Sequence, residues 1–346
     1  MPKLQLRRFA LFIAAIAVST LSMAPLHAER VEPPLELLYA PGSMLVAGPL
    51  LDINPAGRLV FARKDVLGGK GRPPDAIDIR VPMSALQGMT IGARYIFGYS
   101  MLRTDPRNPT RLAINPDGAV MLSSIGLEPA LFRDTPQTRE ILKAGRSEHG
   151  RESRRLFELL LKALAGSDPA LQNLAAGEIA QEPEFGERLR EDGGQGTVEK
   201  VVRDAQTPAT VRVTLLVAAA TRPRDLGPWW QSVATDVVTT TPIDGYSTAS
   251  SDPTDLVLTS LELLDKHAVK LPPDALERWI RSARPPLIEK ASLMLRRESP
   301  ARERSVVQQA LADPKLPETT RQFLNDHLRR LDRLDAKSKA RKEGSG

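Results

Sequence analysis

Three stretches of this 346-residue chain arrange their apolar and polar positions in three different ways. Phe9 to Val18 is apolar without interruption. Between about 40 and 125 the apolar positions alternate. Ile77, Ile79 and Val81 are separated by Asp78 and Arg80, Tyr95, Phe97, Tyr99 and Met101 share one face, and Arg58 to Ala62 is a further candidate. Period-two alternation predicts half-buried strands. From Pro136 onward the period becomes helical. Arg155 to Ala165 carries Leu156, Phe157, Leu160, Leu161, Ala163 and Leu164, and Asp255 to Asp265 carries Leu256, Val257, Leu261, Leu263 and Leu264. Stripes this broad predict helices buried between neighbours. Thr319 to Leu334 has only Leu324, Leu328, Leu331 and Leu334 at helical spacing. That narrow stripe predicts a one-sided last helix, as the cap of a stacked array requires.

The punctuation agrees with this division. Asn54-Pro55-Ala56-Gly57, Gly68-Gly69-Lys70-Gly71 and Asn115-Pro116-Asp117-Gly118 are turn signals. About five short strands in ~85 residues predict a compact barrel or sandwich. In the helical part, Asp168-Pro169, Thr207-Pro208, Asp252-Pro253 and Ser299-Pro300 each set a capping side chain before a proline at a helix start. The prolines lie 39, 45 and 47 residues apart. Two helices in about 40–47 residues is the period of HEAT and armadillo arrays. An internal echo supports repetition, since Pro208, Thr210, Arg212 and Leu215 recur as Pro317, Thr319, Arg321 and Leu324. The polar stretches Gly193 to Gly196 and Thr239 to Asp252 interrupt the array and predict loops projecting from it.

Residues 136–334 resemble HEAT repeats, in which a short turn, a Pro or Asp and then an Arg open a helix. The resemblance implies a helical array that binds other molecules along its surface. The order Val60-Phe61, a Gly-Lys-Gly loop, Ile77-Asp-Ile-Arg-Val81 and Gly92-Ala-Arg-Tyr95 resembles the OB-type barrel of netrin-like and metalloproteinase-inhibitor-like modules. Those modules carry cysteines and this chain has none. The expected architecture is α+β and multidomain: a small antiparallel OB-like barrel over 29–133, an all-α HEAT-like solenoid over 136–334, and a disordered basic tail over 335–346.

Lys3, Arg7 and Arg8 before the apolar run, and Ala28 before Glu29, predict a signal peptide over 1–28 and a periplasmic or secreted protein. The apolar run is shorter than the ~20 residues a membrane span needs. Without cysteine there is no disulfide, so the exported chain must rely on its own core. Loss of Lys3, Arg7 and Arg8 lowers the formal charge from +6 to +3, so the high pI does not argue for nucleic acid, and no nucleic-acid partner is expected of an exported chain.

No catalytic constellation stands out. There is no H-E-x-x-H, no G-x-S-x-G elbow and no Walker loop, and His149, His267 and His327 are far apart. His327 flanks the Leu324 and Leu328 stripe, where packing is its expected role. No cofactor and no metal are expected, and the chain is read as a non-enzyme. The one cluster singled out for binding is Trp229 and Trp230, with Tyr246 in the following polar loop. Three aromatics on one groove would hold a peptide or a sugar. The expected function is that of an exported scaffold or adaptor engaging a protein partner through the helical surface. The alternative is a cell-wall or glycan-binding protein using Trp229, Trp230 and Tyr246.

Overall fold

The computed structural model describes residues 32–105, 108–116, 118–146, 154–243, 252–282 and 284–343. The signal expected over 1–28, and Tyr246, lie outside these residues. Residues Pro33–Gly346 make one compact unit.

After a short helix α1 (Pro34–Tyr39) come nine strands: β1 (Ser43–Asn54), β2 (Arg58–Ala62), β3 (Asp65–Gly68), β4 (Ala76–Arg80), β5 (Arg94–Ser100), β6 (Leu102–Asp105), β7 (Asn108–Ile114), β8 (Ala119–Met121) and β9 (Leu131–Arg133). Five of them close a small barrel in the ring order β1-β2-β4-β8-β5-β1. Every pairing in the ring is antiparallel except β4 with β8, which is parallel. β3 and β9 flank the ring, and β6 and β7 form a separate hairpin. The alternation read from sequence sets the interior: Ile77, Ile79, Val81, Tyr95, Phe97 and Tyr99 all point into the barrel with Phe61, Val46 and Met44. Phe61 stacks on Phe97 at 4.2 Å between ring centroids.

β1 escaped the periodicity argument because it is buried on both faces. Met44, Val46 and Leu50 enter the barrel, whereas Leu45 and Ala47 enter the helical core. β1 must also bend, pairing with β2 over its second half and β3 over its first. Gly48 sits at the bend, where any Cβ would overlap the Ala62 carbonyl oxygen.

The helical part has α2 (Pro136–Arg146), α3 (Arg154–Leu164), α4 (Pro169–Gln181), α5 (Pro183–Glu191), α6 (Gln195–Arg203), α7 (Ala209–Thr221), α8 (Pro223–Leu226), α9 (Trp230–Thr240), α10 (Asp252–Lys266), α11 (Pro273–Ile280), α12 (Pro285–Glu298), α13 (Pro300–Leu311) and α14 (Glu318–Glu343). Consecutive helices pair as α3/α4, α6/α7, α9/α10, α11/α12 and α13/α14. The second member of one pair packs on the second member of the next: α4 on α7, α7 on α10, α10 on α12. The first members follow suit where α3 meets α6, α6 meets α9 and α11 meets α13. A single apolar core runs from Leu35 and the outer face of β1 and β5 through to Leu324. The barrel is therefore no free module. Its β1–β5–β9 wall is one side of the helical core.

Two of the proline starts carry the expected caps. Asp168 Oδ1 accepts from the amides of Ala170 (2.9 Å) and Leu171 (3.2 Å), and Ser299 Oγ accepts from Arg302 N. Thr207 does not cap: it is buried, and Pro208 itself holds the N-cap position of α7. α14 runs into the stretch expected as a tail, to Glu343. Asp335 holds its side to the array through Arg296 (2.7 Å) and Arg304 (2.8 Å).

Helix ends in the array are closed by side chains from later in the chain. The last carbonyls of a helix have no partner within it. Gln172 Nε2 donates to Leu164 O and Gly166 O at the end of α3. Arg222 donates to Ile179 O and Ala180 O at the end of α4, and Arg278 to Thr239 O and Thr241 O after α9. Arg212 Nε donates to Val202 O, and Arg321 donates to Leu311 O, each at 2.7 Å and each ten residues back along the chain. The sequence echo around Pro208 and Pro317 thus encodes one capping device used twice.

Candidate functional site

The parallel pair that closes the barrel is short. β8 meets β4 only at Ile79↔Ala119 and Arg80↔Val120. Below that, Ala76, Ile77 and Asp78 pair with β2 on one edge and with no described strand on the other. The wall opens there into a cavity of about 470 Å³ at one mouth of the barrel. Interior side chains of the barrel form its floor: Met44 from β1, Ile77 from β4, Tyr99 from β5 and Ala119 from β8. Met101 and Leu102 form one side, and the loop Lys70 to Pro74 the other.

The polar groups are unevenly placed. Arg58, Lys70 and Arg72 are the cations of the lining and Asp78 its carboxylate. Arg58 Nε and Asp78 Oδ1 are 2.8 Å apart and satisfy each other. Lys70 and Arg72 are exposed, and among the described residues neither has an ion-pair partner. Tyr99 is 2 % exposed, and burial pushes its phenol up from its ordinary range, with the nearby Arg63 guanidinium acting in the opposite sense. The floor is apolar, the phenol stays protonated at neutral pH, and the surplus charge at the rim is positive. Such a cavity has the size and character of a small-molecule site.

The sequence-predicted residues are elsewhere. Trp229 and Trp230 are 8 % and 4 % exposed and belong to the helical core. Trp229 Nε1 donates to Leu226 O at 2.8 Å, and the Trp230 ring stands 4.7 Å from that of His267. An aromatic groove needs indole faces open to a ligand, and burial leaves neither indole in that position. What recommended them, two adjacent Trp after Gly227-Pro228, marks a packed helix start. The barrel-mouth residues were visible only in part. Alternation puts Tyr99 and Met101 on one strand face and the flanking glycines put Lys70 in a connecting loop, but the gap that joins them arises from β8 meeting β4 at two residues alone.

One cluster in the helices has the residue types of a hydrolytic triad. Ser292 Oγ donates to Glu303 Oε1, and His327 Nε2 lies 2.8 Å from Ser292 Oγ and 3.1 Å from Glu303 Oε1. A triad requires the acid on one imidazole nitrogen and the hydroxyl on the other. Here both meet Nε2, and Ser292 and Glu303 are fully buried. Arg296 completes the set, 3.1 Å from Glu303 Oε2. The cluster ties α12, α13 and α14 together. Burial raises the Glu303 carboxyl, but hydrogen bonds from His327, Ser292 and Arg296, with the Arg296 charge, bring it below its ordinary value.

No family model matches the chain, and no curated protein and no solved structure matches it.

Proposed function

We propose that this chain is an exported, non-catalytic scaffold in which an OB-like barrel is fused to HEAT-like repeats, and that the second row of helices engages a protein partner. The observation that carries the reading is the repeated stacking of α4, α7, α10 and α12, each closed against its own pair. Arg212 and Arg321 reaching back to Val202 and Leu311 over the same ten residues support a repeated unit. Arrays of this kind offer long surfaces because each unit packs only on its neighbours. The ring order with its parallel closing pair supports the OB-like reading of the barrel. Shape alone does not assign a function, so the partner surface is argued from side chains. Val217 on α7 and Leu293 on α12 are large apolar residues left 40 % and 48 % exposed on the second row.

The test is in-cell cross-linking of the tagged chain in an exporting bacterial host, with the cross-linked peptides mapped. Cross-links to one partner that cluster around α7 and α12, and that disappear in Val217→Glu with Leu293→Glu, support the scaffold. Cross-links unchanged by that double substitution refute the surface assignment. Recovery of the chain from the cytosol with residues 1–28 intact refutes export.

A further inference from the structure

We propose that the barrel-mouth cavity is a binding site for a free amphipathic anion, a medium-length acyl chain ending in a carboxylate, with the chain inside the barrel mouth and the headgroup between Lys70 and Arg72. Three observations converge on this occupant. The floor offers no charge: Met44, Ile77 and Tyr99 are buried barrel-interior side chains that line the cavity. Met and Tyr suit a flexible apolar chain, the first because its thioether adapts to irregular shapes, the second because its ring is an apolar wall with one polar tip. The cations stand only at the rim. Asp78 is already answered by Arg58, which leaves Lys70 and Arg72 as surplus positive charge on one loop. A volume of about 470 Å³ holds a molecule far smaller than a folded partner.

Polarity follows from these positions. A cationic amphiphile of the same chain length would bring its head against Lys70 and Arg72 and be repelled. A neutral one would gain the floor and lose the rim. An anion gains both, and its head remains at the exposed loop, where its desolvation cost is small. This site lies on the barrel, apart from Val217 and Leu293, so it stands or falls independently of the scaffold reading.

The experiment is calorimetric titration of the full chain with decanoate below its micellar concentration, with decyltrimethylammonium and decanol as matched probes. Decanoate is expected to bind saturably at one per chain, at least tenfold more tightly than the cation, with decanol between them. Lys70→Glu with Arg72→Glu changes two exposed loop residues and should weaken decanoate at least tenfold while strengthening the cation. Met101→Trp, at an exposed wall position, should block both. Equal affinity for anion and cation, indifference to the charge reversal, or absence of saturation overturns the proposal. A second arm uses phosphatidylglycerol vesicles. Sedimentation with them that depends on Lys70 and Arg72, in the absence of decanoate binding, would assign these cations to a membrane surface and overturn the cavity site.

Discussion

Gly126, in the loop after β8, lies directly against Gly177 in the middle of α4. A Cβ on Gly177 would fall 2.7 Å from the Gly126 Cα, and one on Gly126 would fall 2.8 Å from the Gly177 Cα. Pro34 closes the third side, 2.7 Å from either added Cβ. Around this contact Glu178 Oε1 accepts from Leu35 N and Gln181 Nε2 donates to Ile125 O. The barrel and the helices thus meet backbone to backbone, and the contact exists only because both residues lack a side chain.

Replacing Gly177 by Ala should therefore reverse the usual sign. Within a helix the change ordinarily stabilises by about 0.5–1 kcal/mol. Here overpacking should cost about 1–3 kcal/mol instead. Gly196→Ala in α6, where an added Cβ meets nothing within 4 Å, is the control and should leave stability unchanged or raised. Urea midpoints of the two variants decide the matter: a stabilised Gly177→Ala would show that the loop yields.

Arg321→Ala removes the side-chain donor to the Leu311 carbonyl and one of the two donors to the Asp313 carbonyl, which keeps the Leu316 amide. The carbonyls are only part-buried, so the loss should be about 0.5–1.5 kcal/mol, that of an ordinary hydrogen bond. Hydrogen exchange followed by mass spectrometry should show faster exchange in α13 and α14 and little change in α4. Arg321→Lys should recover less than half of the loss, because one ammonium does not span both carbonyls as the guanidinium fork does. Arg212→Ala should produce the matching effect around α6 and α7.

The Glu303 carboxyl sits below its ordinary value in the folded chain, so its ionised form favours folding. The stabilisation it supplies is complete above the unfolded carboxylate value of about 4.3 and drains away as pH falls through the lower folded value. Urea midpoints taken from pH 7 to pH 3 should fall for the wild type. Glu303→Gln should start about 1–3 kcal/mol lower at pH 7 and show a shallower slope. Parallel curves for the two proteins would remove Glu303 from the acid response.

All three tryptophans are buried: Trp229, Trp230 and Trp279 are 8 %, 4 % and 3 % exposed. Native fluorescence should be blue-shifted and resistant to iodide, and both properties should vanish together in urea. Efficient iodide quenching of the folded chain would restore the aromatic groove that burial removes.

The alternation at Ile77, Ile79 and Val81 was legible because β4 has one dry and one wet face, and that at Tyr95, Phe97 and Tyr99 because the aromatics all fall on the barrel side of β5, although its other face is buried as well. β1 was not, since both of its faces are buried and its apolar run carries no period. The helix starts at Pro169 and Pro300 were legible because Asp168 and Ser299 act on amides two or three residues away. The tail beyond Leu334 was not, since Asp335 is pinned by Arg296 and Arg304 from distant helices.

By itself the sequence determined that a β-rich part precedes a helical one, where several helices and three of the strands begin, and that Arg212 and Arg321 recur in one local pattern. Those properties depend on neighbours within about ten residues, and a linear chain displays them. Only the tertiary structure decided that the two parts share one core, that Trp229 and Trp230 face inward, and that β8 touches β4 at two residues and so leaves the barrel open beside Lys70 and Arg72. Each of these depends on which distant surfaces exclude water together, and no local pattern records that choice.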